Sequence, residues 1–101
     1  MIVKKHVSGG RLVLAICDSL LLGKIFEEGE KKLDLSSHFY SGDEIEREDL
    51  KKLIKCSYIL NIVGEESLEV ARQVIEIGDD SVIYIKDIPH AQVLFSSEEV
   101  L

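Results

Sequence analysis

Residues 58 to 86 constrain the fold most, because they run apolar strand, amphipathic helix, apolar strand. Tyr58 to Val63 is a buried strand interrupted only by Asn61. Leu68, Ala71, Val74 and Ile75 then recur at helical spacing as far as about Ile77, and Ser81 to Lys86 is apolar again. Two parallel strands joined by a helix cross over in the right-handed sense, and their sheet needs a helical layer on at least one face. Gly78 follows the last periodic position and is expected to close the helix in the left-handed conformation.

The N-terminal half reads as richer in strand. Segments 2–7 and 11–17 flank Ser8-Gly9-Gly10, a connection whose glycines suit a tight hairpin. Arg11 to Cys17 is apolar almost throughout, the pattern of a central strand covered on both faces. Leu20 to Gly23 makes a turn. Ile25, Phe26, Leu33 and Leu35 bracket the charged run 27–32, which suits two short antiparallel strands turning at Gly29; a helix over 23–32 is the alternative. His38 to Gly42 is an aromatic-bearing loop. From Asp43 to Cys56, acids precede lysines along a helix with Leu50, Leu53 and Ile54 as its apolar stripe, the order the helix dipole favours. Ala91 to Phe95 forms a last strand, antiparallel to the one before. The fold class is therefore α/β, or mixed α+β: a small single-domain mixed sheet with a C-terminal βαβ unit, about two helices and a β-rich N-terminal half. Residues 1–95 form one globular domain, and 96–101 are expected to be a frayed acidic tail.

Size and charge narrow the function. A chain of 101 residues supports one core, and 46% hydrophobic with 31% charged residues fits neither a disordered segment nor a membrane protein. No uncharged run approaches the roughly 20 residues of a membrane helix, and no apolar leader segment is read at the start, so the expected location is the cytoplasm. The net charge of −7 opposes binding bare nucleic acid over most of the surface. The acids cluster in residues 27–30, 43–49 and 65–69, leaving Lys4, Lys5 and Arg11 as a basic end suited to nucleic acid or a partner. A basic protein or ribonucleoprotein partner fits the charge best.

No cofactor motif is present, and neither the three histidines nor the two cysteines have metal-site spacing, so no cofactor or metal is expected. Cys17 and Cys56 read as reduced core thiols. Six residues form the candidate binding set. Asp18 and Lys24 flank the turn after the central strand and either hold a polar substrate or merely cap that turn. Asn61 either bonds a neighbouring loop or, with Gly64, faces a ligand at the end of a parallel strand. Gly64 opens a helix, but Glu65 and Glu66 beside it would repel a phosphate. In Pro89-His90-Ala91-Gln92, strand alternation places His90 and Gln92 on the same side, where imidazole and amide can converge on one ligand.

Taken in order, Cys17-Asp18, Leu21-Leu22-Gly23-Lys24, Phe26-Glu27-Glu28-Gly29-Glu30, Phe39-Tyr40-Ser41-Gly42, Asn61-Ile62-Val63-Gly64-Glu65 and Pro89-His90-Ala91-Gln92-Val93 resemble a small archaeal family known as domain of unknown function 424. The resemblance spans roughly residues 11 to 95. It implies a single-domain archaeal protein without an established activity and supplies no catalytic residues. One departure is Lys86-Asp87-Ile88 before Pro89, where a glycine-containing turn is expected. A family of this type points to translation. The leading expectation is a non-enzymatic binding protein, an accessory factor contacting a ribosomal protein, a translation factor or structured RNA. The alternative is a small enzyme or ligand-binding protein with a polar cleft near Asp18, Lys24, Asn61 and His90. The chain is expected to be monomeric or an edge-strand homodimer through residues 2–7.

Overall fold

A computed structural model of the chain describes residues 1–95. The acidic segment 96–101, expected to fray, lies outside the described residues. Eight strands and two helices follow in the order β1 (Ile2–Ser8), β2 (Arg11–Cys17), β3 (Ile25–Glu28), β4 (Lys31–Asp34), β5 (Asp43–Glu44), α1 (Arg47–Cys56), β6 (Ile59–Val63), α2 (Glu65–Arg72), β7 (Val82–Ile85) and β8 (Ile88–Leu94). Six strands form one mixed sheet in the order β5-β1-β2-β6-β8-β7, and β3 and β4 form a separate hairpin. The β1–β2 hairpin closes through Gly9 and Gly10, both at positive φ (58° and 77°), and Gly29 (φ 62°) turns the β3–β4 hairpin. Central placement of β2 is realised: it pairs with β1 on one side and, in parallel, with β6 on the other.

The C-terminal βαβ unit is present with one strand inserted. Both β6 and β7 run antiparallel to β8, so they are parallel to each other with β8 between them. The directly paired parallel strands are β2 and β6. The last strand begins at Ile88 rather than Ala91, and two helix boundaries also differ from the sequence reading. Asp43 and Glu44 do not begin the first helix; they pair with Val3 and Ile2 at the sheet edge, and α1 starts at Arg47. Helix α2 ends at Arg72 rather than near Ile77, and Gly78 has φ −71° and ψ 156°, ordinary extended backbone rather than a left-handed cap, and it opens a 3₁₀ turn at Asp79–Ser81. The apolar residues Val74, Ile75 and Ile77 still pack against the helical core, although only Val74 and Ile75 remain tied to the end of α2 through Ala71. Helical periodicity recorded the burial there and missed the break.

The sheet separates two cores. On one face Leu14, Ile16, Leu60 and Ile62 pack under Leu50 and Ile54 of α1 and Leu68, Val70 and Ala71 of α2. On the other, Ala15, Cys17 and Val63 pack under Leu33, Leu35 and Tyr40 from the β3–β4 hairpin and the loop that follows it. Alternation along β2 thus buries both faces of one strand.

Candidate functional site

Three cross-strand rows define the face beneath the β3–β4 hairpin. Register places Ile2, Cys17, Val63, His90 and Ile83 in the first row, across β1, β2, β6, β8 and β7. Lys4, Ala15, Asn61 and Gln92 form the second, and His6, Val13, Ile59 and Leu94 the third. The hairpin and Tyr40 cover the Ile2, Cys17 and Val63 end of the first row. Beyond it the face opens: Gln92 is exposed, Lys4, Asn61, Val13 and Ile59 are half-buried, and Leu94 is 63% exposed. An amide pair thus lies between a lysine on one side and an aliphatic row below, on rigid strands.

The aromatic loop borders this face. The His6 ring stacks on Phe39 at 4.6 Å with 12° between the planes, and His6 Nε2 donates to the Phe39 carbonyl at 3.0 Å. Tyr40 next to it meets Phe39 edge-on at 5.1 Å, and burial raises its phenol to about 12. Burial likewise raises the Cys17 thiol to about 11, with the Asp18 charge adding to the effect. That environment makes Cys17 a packing residue rather than a nucleophile. Cys56, read as a core thiol, is exposed. At the far end of β2, the Arg11 guanidinium lies 4.3 Å from the centre of the Tyr58 ring.

The six sequence-predicted residues divide into groups. Asn61 and Gln92 stand directly opposite each other in the second row, and His90 follows Gln92 on the same face. His90 is half-buried, its Nε2 has no hydrogen-bond partner among the described residues, and burial holds its pKa below the ordinary histidine value. Asp18 and Gly64 meet at the start of α2. The Ncap position there is Gly64, which has no side chain to cap with. Asp18 does so from the end of β2: its Oδ1 accepts from the Ser67 amide (2.8 Å) and Ser67 Oγ (2.7 Å), and its Oδ2 from the Glu66 amide (3.2 Å). These amides lack partners within the helix, and a carboxylate also suits the positive end of its dipole. The anion position that Gly64 suggested is therefore filled by the protein's own Asp18. Gly64 itself sits at φ 108°, and a Cβ there would fall on that carboxylate. Lys24 is apart from both groups, exposed at the entry to β3. Lys4 lies in the second row, Lys5 points to the opposite face, and Arg11 stands at the rim.

Sequence reasoning did not find the third row or the His6–Phe39 stack. Alternation in Gln92-Val93-Leu94 was available as a signal, but the rows exist only through cross-strand register. A hollow of about 830 Å³ lies elsewhere, along the outer side of α2. Arg47 pairs there with Glu69 at 3.3 Å and Glu66 at 4.0 Å. Among the described residues, no group of three or more His, Cys, Asp and Glu side chains is placed to hold a metal ion. None of their helices is long and apolar enough to cross a membrane.

Fold and face together define a small mixed-sheet domain with helices on one side and a half-covered face on the other. The chain belongs to the family described as protein of unknown function (DUF424), whose model matches residues 6–95. It is similar to the crystal structure of an uncharacterized conserved protein from Methanopyrus kandleri, with a TM-score of 0.73 and 25% identity over 91% of this chain and 88% of that one. No curated protein matches the chain.

Proposed function

We propose that this is a binding protein whose working surface is the open part of the sheet, and that it acts in the cytoplasm as an accessory factor of translation or the ribosome. The observation that carries the reading is the pair of open rows, Lys4-Ala15-Asn61-Gln92 and His6-Val13-Ile59-Leu94. Amides with donors and acceptors on both sides, set above the half-buried Val13 and Ile59 and the exposed Leu94, suit a polar and apolar protein surface. The net charge of −7 favours a basic partner, as many ribosomal components are, by steering its approach. A catalytic cleft through Asp18, Lys24, Asn61 and His90 is the weaker reading, because the Asp18 carboxylate already accepts three hydrogen bonds at α2.

Tandem affinity purification from an archaeal host tests the proposal, with the wild-type chain run beside a Gln92→Arg, Leu94→Asp variant. The expected result is enrichment of ribosomal proteins or translation factors by the wild type and its loss in a variant of unchanged melting temperature. Absence of such enrichment, or equal enrichment by both chains, overturns it.

A further inference from the structure

Among the described residues, the edge of β1 beyond β5 is unpaired. In a hairpin closed by two residues, the pair flanking the turn exchanges both hydrogen bonds and such pairs alternate along the ladder. Ser8–Arg11, His6–Val13, Lys4–Ala15 and Ile2–Cys17 are then the bonded pairs. The N–H and C=O groups of Val3, Lys5 and Val7 point away from β2. Strand β5 reaches Val3 and stops, since its register is Ile2–Glu44 and Val3–Asp43. Among the described residues, no backbone group pairs with Lys5 or Val7 on that side. Four backbone groups therefore lie without a strand partner beside a groove of about 420 Å³ lined by Val3, Lys4, Lys5, Gly42, Ile45 and Leu53, and Val7 is 75% exposed.

We propose that this edge takes an additional β-strand from another protein, an extended segment running parallel to β1 with the pattern acidic–any–apolar. Strand addition satisfies main-chain groups, while alternate side chains set the specificity. Lys5 and Val7 lie on the helix-bearing face two residues apart, so the incoming strand meets them with residues i and i+2 on that same face. A carboxylate opposite Lys5 and an aliphatic group opposite Val7 complement the pair. Lys4, on the other side of the same edge, adds to the attraction. The acids at the groove, Asp43 and Glu44, sit at its β5 end, where Glu44 is already paired with the Met1 ammonium at 3.3 Å.

A second copy is disfavoured on two counts. Self-pairing of β1 in the register that satisfies all four groups sets Lys5 against Val7 of the copy, crowding four lysines and facing His6 with His6. It also sets Gly9 of the copy opposite Val3, a place Asp43 already holds. Lysines on an edge strand oppose uncontrolled pairing while leaving an acidic strand welcome.

The test uses the full chain, isotope-labelled, and two synthetic peptides: Thr-Thr-Glu-Thr-Val-Thr-Thr and the same sequence with Lys in place of Glu. The Glu peptide is expected to shift the amides of residues 4–8 and protect those of Lys5 and Val7 from exchange. The Lys peptide is expected to bind at least about tenfold more weakly. Lys5→Glu should invert that preference. Val7→Pro, which removes an outward donor without touching the β1–β2 ladder, should weaken both peptides. Failure of the Glu peptide to perturb residues 4–8, no inversion in Lys5→Glu, or a concentration-dependent dimer that Val7→Pro abolishes would each overturn the proposal. None of these readouts involves Gln92 or Leu94, so the open face stands or falls separately.

Discussion

Replacing Asp18 isolates a single long-range cap. Its carboxylate serves three donors at the start of α2, two of them on Ser67, which is fully buried. Asp18→Ala leaves the Ser67 amide and hydroxyl without partners in a site water reaches poorly, whereas the exposed Glu66 amide rehydrates. Loss of a cap costs about 0.5 to 2 kcal/mol, and hydrogen bonds to a charged group are worth about 1.5 to 3 kcal/mol. Because Asp18 is half-buried and these terms overlap, the expected loss is about 2 to 3 kcal/mol. For a domain of this size that lowers the melting temperature by about 10 to 15 °C. Asp18→Asn keeps an acceptor for Ser67 but loses the favourable dipole interaction, and should cost about 1 kcal/mol. Gly64→Ala should cost about 3 kcal/mol, because its φ of 108° is strained for any side chain and the new Cβ displaces the carboxylate. The double variant should fall short of the sum by at least about 1 kcal/mol, since each change removes the same cap. Urea unfolding followed by far-UV circular dichroism measures all four chains. An Asp18→Ala loss under about 0.5 kcal/mol, or strict additivity with Gly64→Ala, would refute the capping argument.

Three further outcomes follow from local environments. His90 is held neutral by burial, with its pKa below the unfolded value; its contribution is fully present above about pH 6.5 and declines as pH falls below it, because the unfolded chain takes up the proton first. His90→Leu should remove that component from the stability profile, and an unchanged slope between neutral and mildly acidic pH would contradict the assignment. Of the two thiols, exposed Cys56 should react promptly with a disulfide reagent and Cys17, raised to about 11, only after unfolding; two fast thiols in the native protein would refute this. Lys86 and Asp87 form the β7–β8 turn at φ 53° and 64°, so Lys86→Asn with Asp87→Gly should stabilise the chain by about 1 to 2 kcal/mol in urea unfolding, and a loss of stability would show that the Lys86 side chain has a role of its own.

That turn also shows what sequence could and could not reveal. A glycine-containing turn is the sequence expectation before Pro89, and the backbone does adopt the conformation glycine favours, with Lys86, which tolerates it poorly, and Asp87, which tolerates it better than most. Local signals worked where the cause is local: Gly9 and Gly10 close one hairpin, Gly29 the other, and alternation puts His90 and Gln92 on one side. They failed where a partner lies far along the chain. Asp18 is separated from Glu66 and Ser67 by 48 and 49 positions, so no spacing rule links them. Asp43 and Glu44 look like the acidic first turn of a helix until β1 offers them a strand to pair with. The open rows are legible only in register, because a residue from each of four strands must align before Asn61 and Gln92 become neighbours of Lys4 and Leu94.

Site-specific photo-crosslinking in cells tests whether the open sheet face meets the partner. A photoreactive residue replaces Gln92 on that face in one chain and Gln73, at the exposed end of α2 on the helical side, in another. A discrete crosslink to a ribosomal protein or translation factor is expected from position 92 and none from position 73. Crosslinks from position 73 alone, or the same product from both, would contradict it.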